Sequence, residues 1–213
     1  DYVLHTPGRP CTLGRGQLVL DLSRKEVCEY VVESMARVFK EGHVDYVKWD
    51  MNRHLTDVGS AYFPPQQQGE ITHRYVLGLY DIMERLTAMF PQVLFESCSS
   101  GGGRFDAGML YYMPQTWCSD NTDAICRMKI QYSTSLVFPP VTMGAHVSVT
   151  PNHQTGRVTP LNTRGYVAMS GNLGYELDLE KLTSQELEEI KEQIAFYKSI
   201  RNTIQFGTLY RNE

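Results

Sequence analysis

The sequence alternates between strand-like and helix-like segments along its length, and this alternation limits the folds open to it. The strand-like segments are short and apolar, whereas the helix-like segments repeat apolar residues at i, i+3, i+4 and i+7. Strands are predicted at 17–22, 44–50, 93–97, 115–118, 140–144 and 171–177. Helices are predicted at 23–42, 71–90, 123–136 and 160–169, and from 183 onward. About six β units, each followed by a helix, predict a parallel sheet covered by helices.

Local signals define the ends of several predicted helices. Ser23 with Glu26 predicts a capping box, and Thr183 with Glu186 predicts another. Gly42 is expected to end the first helix in the left-handed conformation. The apolar residues expected on the buried side of the first helix are Val27, Tyr30, Val31, Met35, Val38 and Phe39. Those of the second helix are Tyr75, Leu79, Ile82, Leu86 and Met89.

Two architectures satisfy six βα units, an open doubly wound sheet and part of an eight-stranded barrel. An open sheet concentrates its site at one switch point, whereas a barrel collects functional residues from the ends of several strands. Polar, reactive side chains follow at least three of the predicted strands, as described below. The sequence therefore favours an α/β fold that is part of a (β/α)8 TIM barrel.

Composition excludes several classes of protein. Hydrophobic residues make up 42% and charged residues 21% of the 213, which is typical of a globular chain. The net charge of −4 gives no general attraction for nucleic acid or anionic membranes, and no apolar run approaches the roughly 20 residues that span a bilayer. The five cysteines are odd in number and form no CxxC pair, which predicts reduced thiols in a cytoplasmic protein, with Cys28 in the core.

The strand predicted at 44–50 ends in a polar face. Alternate side chains of a strand share one face, so Lys48, Asp50 and Asn52 are expected together, with Val47 and Trp49 on the opposite face. A lysine beside an aspartate favours the ionised carboxylate that a nucleophile requires. A Lys–Asp pair that merely braces a strand end is the structural alternative.

A second acidic group follows the strand predicted at 115–118. Asp120 lies closest to the strand end and is the candidate proton donor, whereas Asp123 is expected to cap the next helix. Trp117 fits either stacking on an apolar sugar face or an ordinary place in the core. Asp50 and Asp120, 70 residues apart, are the pair of carboxylates that retaining cleavage of a glycosidic bond needs.

Two long loops are expected after strands. The glycine run of 98–103 lacks the Lys-Ser/Thr ending of a phosphate-binding loop, and it fits better with a sugar ring approaching the backbone. The other loop, after the strand predicted at 140–144, contains His146, and Pro160 then suits the first position of a helix. The six histidines show no metal-ligand spacing and no Gly-x-Ser-x-Gly elbow occurs, so neither a metal nor another cofactor is expected.

Together these strings resemble glycoside hydrolase family 36, the α-galactosidase or melibiase group, over nearly the whole chain. The motifs that carry the resemblance are residues 48–53 (KWDMNR), 96–106 (ESCSSGGGRFD), 115–124 (QTWCSDNTDA), 144–148 (GAHVS) and 171–177 (GNLGYEL).

The resemblance implies a role for each candidate residue. Asp50 would be the nucleophile and Asp120 the acid/base of a retaining mechanism that releases terminal α-D-galactosyl residues, as from melibiose or raffinose-type oligosaccharides. The substrate-binding residues that it implies are Arg15, Lys48, Asn52, Cys98 and Gly101, with Trp117 as a stacking candidate.

The resemblance also predicts that the chain is incomplete. Residues 1–213 would form part of one catalytic barrel, from about strand 3 to strand 8. The family's N-terminal β-sandwich, first barrel strands and C-terminal β domain would lie outside it, and the full-length protein would form a homo-oligomer.

Four other activities remain open on the sequence alone. An α-N-acetylgalactosaminidase or a galactosyl transferase could share these strings. An inactive carbohydrate-binding fragment would bind galactose without turnover. A metal-dependent phosphoryl-transfer enzyme could use Asp50, Asp120 and Asp123, although the phosphate and metal motifs of such enzymes are absent.

Overall fold

The computed structural model describes residues 2–211, which divide into two compact units at residues 95 and 96. The strands are β1 Tyr46–Asp50, β2 Leu94–Cys98, β3 Gln115–Trp117, β4 Met143–Ser148 and β5 Asn172–Glu176. The helices are α1 Lys25–Gly42, α2 Ile71–Met89, α3 Ala107–Tyr112, α4 Ala124–Thr134, α5 Leu161–Ala168 and α6 Ser184–Phe206. Short 3₁₀ turns occur at Pro65–Glu70, Pro140–Thr142 and Leu179–Lys181.

The strands of the second unit follow one another in chain order and pair in parallel. Glu96 of β2 lies opposite Gln115 of β3, and Gly144 of β4 lies opposite both Trp117 of β3 and Asn172 of β5. A doubly wound sheet reverses its strand order at a switch point, and no reversal occurs from β2 to β5. The α/β class and the partial TIM barrel are therefore confirmed.

The strand predicted at 17–22 is wrong. These residues form only isolated bridges in the described structure, the longer-range one an antiparallel bridge between Val3 and Leu20. The Leu4 amide donates to the Val19 carbonyl at 2.8 Å, and the Asp21 amide donates to the Tyr2 carbonyl at the same distance. Residues 19–21 thus pair with residues 2–4 through these two hydrogen bonds and one isolated bridge, which do not extend into a regular strand.

Both predicted ends of α1 also differ from the structure. Ser23 does not cap the helix, because its hydroxyl donates to Asp21 and Arg24 occupies the N-cap position. The left-handed residue at the other end is His43, with φ 48°, and Gly42 is the last helical residue. The buried face is rotated from the predicted one, with Tyr30 and Val38 exposed, and it consists of Val27, Cys28, Val32, Ala36 and Phe39.

Helices α1 and α2 form the core of the first unit. The buried face of α2 agrees with the prediction except at Met89, which is 45% exposed. Val27, Ile82 and Leu86 are fully buried, and each such side chain contributes about 1.5–3 kcal/mol through removal of apolar surface from water. Phe39 contacts Phe90 edge-on at 5.3 Å between ring centroids.

Gly78 lets α2 approach the segment that precedes α1. A Cβ at this position would overlap the Leu22 carbonyl oxygen and would lie 2.9 Å from its carbon and 3.0 Å from the Cys28 sulfur. The Cys28 thiol donates to that same carbonyl at 3.2 Å, and burial raises its pKa to about 11. Cys28 is thus a core thiol, as predicted.

The second unit contains one helix that the sequence did not predict and one strand that was predicted too early. Helix α3 has six residues and depends on Asp106, whose side chain accepts from the Met109 amide at 2.9 Å. Residues 140–142 form a 3₁₀ turn, so β4 begins at Met143, and His146 lies in a strand rather than a loop. Pro160 is the N-cap of α5 rather than its first residue.

The core of the second unit lies between β4 and the helices that follow it. Ala145 and Val147 are fully buried and pack with Leu161, Ala168 and Ile190. The capping box predicted for α6 is present, because the Thr183 hydroxyl accepts from the Glu186 amide at 3.2 Å while Glu186 accepts from Thr183. No helix within residues 2–211 has the length and apolar character needed to cross a bilayer.

Replacing Gly78 by Ala is expected to destabilise the first unit. The added methyl group collides with backbone, which cannot move aside as a flexible side chain can, so the cost should reach about 1–3 kcal/mol or more. Gly69→Ala is the matched control, because a Cβ there has no neighbour within 4 Å. Urea unfolding of the two variants and the wild type measures the difference, and equal losses would contradict this account.

Candidate active site

Strand β1 presents one polar face and one half-buried face. Lys48 and Asp50 are exposed, whereas Val47 and Trp49 are partly buried, as the strand alternation predicts. The side-chain amide of Asn52, just beyond the strand, donates a hydrogen bond to Asp50 Oδ2. The Asn52 amide and the Asp50 carboxylate are therefore held together at the end of β1.

Arg15 lies in a tight turn that a buried arginine holds in place. Arg15 and Gly16 both have positive φ, at 53° and 71°, and hydrogen bonds between Gly14 and Gln17 close the turn. The Arg53 guanidinium donates to the carbonyls of Gln17, at 3.2 Å, and Thr12. Sequence reasoning included Arg53 only as part of a motif, because its backbone partners lie 36 and 41 residues earlier in the chain.

Gly14 must be small for this arrangement to form. A Cβ on Gly14 would lie 2.8 Å from Cδ and 2.9 Å from Nε of Arg53. Arg53 is only 9% exposed, and it also donates to the carbonyl of His54 and, at 3.1 Å, to the hydroxyl of Thr56. The turn carrying Arg15 is thus attached to the chain directly after Asn52.

In the second unit, the glycine run after β2 packs against the segment that carries Asp120. Gly101 has φ 82°, and a Cβ there would lie 2.9 Å from Ser119 Cα and 3.0 Å from the Asp120 nitrogen. A Cβ on Gly102 would lie 3.0 Å from the Cys118 carbonyl oxygen. Sequence reasoning explained these glycines by the approach of a sugar, whereas the close approach in the structure is that of protein backbone.

Arg127 of α4 binds the residues that immediately precede Asp120. Its Nη2 donates to the Ser119 carbonyl at 2.7 Å, its Nη1 donates to the Cys118 sulfur at 3.0 Å, and its Cζ lies 4.0 Å from the Trp117 ring centroid. Only 2% of Arg127 is exposed. Burial lowers the pKa of Arg127, while its interactions with Cys118, Glu176 and Asp120 act in the opposite direction.

Gln154, in the loop after β4, binds the same segment at Asp120 itself and at Thr122. Its Nε2 donates to the Asp120 carbonyl at 2.7 Å, and its Oε1 accepts from the Thr122 amide at 3.0 Å. Thr122 is held further by Ser148, whose hydroxyl donates to its carbonyl at 2.9 Å, and by Asn152, which donates to its hydroxyl at 2.9 Å. The Asp120 side chain is exposed, although its backbone is fixed.

Asp123 has the structural role that the sequence predicted. Its carboxylate accepts from the Cys126 amide at 2.9 Å and so caps α4, and it also accepts from the Thr155 hydroxyl at 2.9 Å and from Arg157. Burial by itself would raise the pKa of Asp123, but the hydrogen bonds from Cys126 and Thr155 and the charge of Arg157 bring it below its usual value.

Trp117 has the surroundings of a core residue. It is 3% exposed, Arg127 lies over its ring, and the His146 ring stacks on it at 4.7 Å. Gly144 provides the space, since a Cβ there would lie 3.3 Å from Trp117 Cε3. Gly174 does the same for His146, with a Cβ 2.5 Å from Cδ2. Of the two roles left open for Trp117, this packing favours the core role over sugar stacking.

Cys98 ends β2 at a buried position. It is 3% exposed, and its carbonyl accepts from Arg104 Nη2 at 2.9 Å. Its contact with a sugar stays a prediction, as do those of Arg15, Lys48, Asn52 and Gly101. Among residues 2–211, no three His, Cys, Asp or Glu side chains are grouped closely enough to hold a metal ion.

Comparison with known proteins gives the family. The model of a family described as Melibiase matches residues 1–207. The chain belongs to the Melibiase family. It is 62% identical to α-galactosidase AgaA of Geobacillus stearothermophilus over 99% of this chain and 29% of AgaA, and 56% identical to α-galactosidase Mel36A of Lactobacillus acidophilus over the same shares. The chain thus spans less than a third of these melibiase relatives.

Solved structures of Melibiase relatives have the same fold. The crystal structure of AgaA, a GH36 α-galactosidase, matches with a TM-score of 0.97 over 99% of this chain and 29% of AgaA. The α-galactosidase of Lactobacillus brevis matches with the same score at 51% identity, over 100% of this chain and 28% of that chain. AgaA variants have been crystallised with raffinose after an Asp-to-Asn replacement and with stachyose after an Asp-to-Ala replacement, at aspartates 70 positions apart.

Replacing Asp123 by Asn is expected to lower the free energy of unfolding at neutral pH and to remove the part of it that is lost in acid. A carboxyl whose folded pKa is lowered stabilises the fold above its unfolded pKa, near 3.8, and this contribution is lost as pH falls through the lower folded value. Loss of its charge-assisted hydrogen bonds should cost about 1–3 kcal/mol at pH 7. Urea unfolding at pH 7, 5 and 3 gives the free energy of unfolding of the variant and the wild type. The difference between the two should become smaller only below about pH 4.

The matched control for this prediction is Asp178→Asn. Asp178 also caps a helical turn, by accepting from the Glu180 amide at 3.1 Å, but its side chain is 49% exposed. It should change stability by much less at every pH. If the difference in free energy of unfolding between Asp123→Asn and the wild type does not depend on pH, the charge of the Asp123 carboxylate does not contribute to stability.

Proposed function

We propose that the protein carrying this chain is a retaining α-galactosidase. It releases terminal, non-reducing α-D-galactosyl residues from α-galactosides such as melibiose and raffinose-type oligosaccharides. The observation that carries this proposal is the pair of Asp50, the last residue of β1, and Asp120, three residues beyond β3, which lie 70 residues apart in sequence. The aspartates replaced in the raffinose and stachyose complexes of AgaA have the same separation in a protein 62% identical to this chain.

The proposed reaction is a double displacement. Asp50 attacks the anomeric carbon while protonated Asp120 donates its proton to the departing oxygen, which leaves as an alcohol. Water then attacks the galactosyl-enzyme, and Asp120 removes a proton from it. Because Asn52 occupies Asp50 Oδ2, Oδ1 is the oxygen proposed to attack. Retention requires carboxyl groups roughly 5–5.5 Å apart in the assembled site.

The neighbouring polar residues are proposed to bind the sugar. Lys48 shares the exposed face of β1 with Asp50 and is proposed to contact the same sugar. Arg15, Asn52, Cys98 and Gly101 complete the set proposed to contact galactose. Trp117 is assigned to support of the Asp120 segment, because its ring is covered by protein groups.

The wider context of the chain is also proposed. Because the chain spans 29% of AgaA, we propose that it supplies the later strands of one catalytic barrel and that other parts of a longer protein complete the galactose pocket. We further propose a homo-oligomer, which light scattering of the full-length protein tests. All five cysteines are thiols in the described residues, which agrees with the proposed cytoplasmic location.

Two related activities use the same residues, and substrate comparison separates them. Full-length protein, produced from its complete reading frame, is assayed with nitrophenyl α-galactoside and nitrophenyl α-N-acetylgalactosaminide, and then with sucrose as acceptor. The proposal expects hydrolysis of the galactoside, little turnover of the acetylated sugar, and water as the main acceptor. Galactose binding without turnover of either substrate would indicate an inactive carbohydrate-binding protein.

Asp50→Ala is expected to abolish formation of the covalent galactosyl-enzyme. The wild type should trap a 2-fluoro- or 5-fluorogalactosyl group at Asp50, because fluorine slows hydrolysis of the intermediate, and peptide mass mapping locates the label. Asp45→Asn, at an exposed aspartate just before β1, is the control and should label like the wild type. A label on any other residue would refute the assignment of Asp50.

Asp120→Asn is expected to lower kcat/KM for raffinose by about 10²–10⁴, the usual contribution of a general acid. The same variant should retain activity on a galactoside whose leaving group needs no proton, such as 2,4-dinitrophenolate. Steady-state kinetics with both substrates measure the contrast. An equal loss on both would assign Asp120 a role other than proton donor.

A further inference from the structure

Two side chains to which no function has been assigned form hydrogen bonds with the backbone at Asp120 and at the residue before it. Arg127 donates to the carbonyl of the residue before Asp120, and Gln154 donates to the carbonyl of Asp120 itself. We propose that Arg127 and Gln154, here called the Asp120 clamp, are positioning residues that set the direction of proton donation to the leaving group. This inference rests on the proposed function.

The need for a clamp follows from the local backbone. Strand β3 ends at Trp117 and α4 begins at Ala124, so the six residues between them lack the repeating hydrogen bonds of a strand or helix. Ser119 Oγ and Asn121 Oδ1 accept from the amides of Asn121 and Asp123, at 3.1 and 3.0 Å, but these bonds act within the segment. Only bonds from outside the segment can fix its position relative to the rest of the second unit.

Arg127 is suited to this role by geometry and burial. One guanidinium contacts three consecutive residues, the ring of Trp117, the sulfur of Cys118 and the carbonyl of Ser119. Its planar fork fixes both distance and angle, which a lysine ammonium group cannot do. Gly101 packs closely on the same segment, since a Cβ there would lie 2.9 Å from Ser119 Cα and 3.0 Å from the Asp120 nitrogen.

Gln154 completes the clamp from an exposed position. Its side-chain amide donates to the Asp120 carbonyl and accepts from the Thr122 amide, so one side chain links both residues. Proton transfer requires a donor within hydrogen-bond reach of the leaving oxygen, and misplacement by about 1 Å can cost about 10²-fold in rate. The clamp should therefore affect leaving groups that need a proton far more than those that do not.

The test is the ratio of kcat/KM for raffinose to kcat/KM for 2,4-dinitrophenyl α-galactoside in the full-length protein. Raffinose departs as an alcohol and needs the proton of Asp120, whereas dinitrophenolate departs as a stable anion. Arg127→Met should lower the raffinose value by about 10–10², as misplacement of a general acid does, and should change the dinitrophenyl value by less than about threefold. Arg127→Lys should have a substrate ratio close to that of Arg127→Met, because lysine lacks the planar guanidinium group.

Arg164→Met is the matched control for loss of a buried arginine. Arg164 of α5 is 5% exposed and donates to the carbonyls of Thr159 and Ser148 at 2.9 and 2.6 Å. Burial lowers its pKa as it does for Arg127. These hydrogen bonds go to the end of β4 and to the residue before the N-cap of α5, so Arg164 is linked to the segment that carries Asp120 only indirectly, through the Ser148 hydroxyl and Thr122. The loss of Arg164 should therefore reduce stability and change the substrate ratio far less than the loss of Arg127.

Gln154→Ala keeps the test decisive if Arg127→Met does not fold. Gln154 is exposed, so its replacement removes two hydrogen bonds from the segment without creating a core cavity. It should lower the substrate ratio in the same direction but by less, about three- to tenfold, because the buried Arg127 still holds Cys118 and Ser119 in place.

Three outcomes decide between the claims. A selective loss on raffinose in the clamp variants that is much larger than in Arg164→Met supports the clamp. Equal losses on both substrates, or unchanged ratios in all clamp variants that fold, would overturn it and would leave the α-galactosidase proposal intact. A wild type that hydrolyses neither galactoside would instead overturn the proposed function, and the clamp with it.

Discussion

Buried guanidinium groups that bind backbone carbonyls are the interaction on which the ordered loops of this chain depend. The residues of a βα loop cannot satisfy one another as strand or helix residues do, and a buried carbonyl without a donor costs about 1–3 kcal/mol. Arg53 supplies donors to the turn that carries Arg15, and Arg127 supplies them to the segment that carries Asp120. Arg164 does the same at the end of β4 and before α5.

Arginine suits these positions for a physical reason. Its five donors lie in one plane and it has no acceptor, so a single side chain can satisfy carbonyls from two distant parts of the backbone. Full burial of a cation is costly, and burial accordingly lowers the pKa of Arg127 and Arg164. Hydrogen bonds offset part of that cost, from Arg127 to the Ser119 carbonyl and the Cys118 sulfur and from Arg164 to two carbonyls.

Sequence reasoning succeeded where the deciding interactions are local or periodic. The alternation of strands and helices, the two faces of β1, the α6 capping box and the Asp123 cap all depend on residues close in sequence. It failed where groups outside the predicted element compete for a donor or for backbone. The Ser23 hydroxyl donates to Asp21 instead of capping α1, and residues 19–21 pair with residues 2–4. The partners of Arg53 lie 36 and 41 residues away, so no motif could reveal them.

The same distinction between local and distant interactions applies to the residues of the candidate site. The two carboxylates were identified because strand ends are visible in sequence, and Asp123 was separated from Asp120 by its distance from α4. The side chains that hold Asp120 were not identified, because Gln154 lies in a loop whose path depends on tertiary structure. The explanation of Gly101 also changed, because a single sequence does not reveal which chain approaches a glycine.

The pairing of Gly174 with His146 has a consequence for how this family can vary. The two residues lie opposite each other on β5 and β4, and the imidazole fills the volume that any side chain at 174 would need. A sequence that gains a side chain at position 174 must therefore move or lose the ring at position 146, and Trp117 would lose its stacking neighbour in either case. Among homologues, these positions should change jointly, and the indole should persist only where the imidazole does.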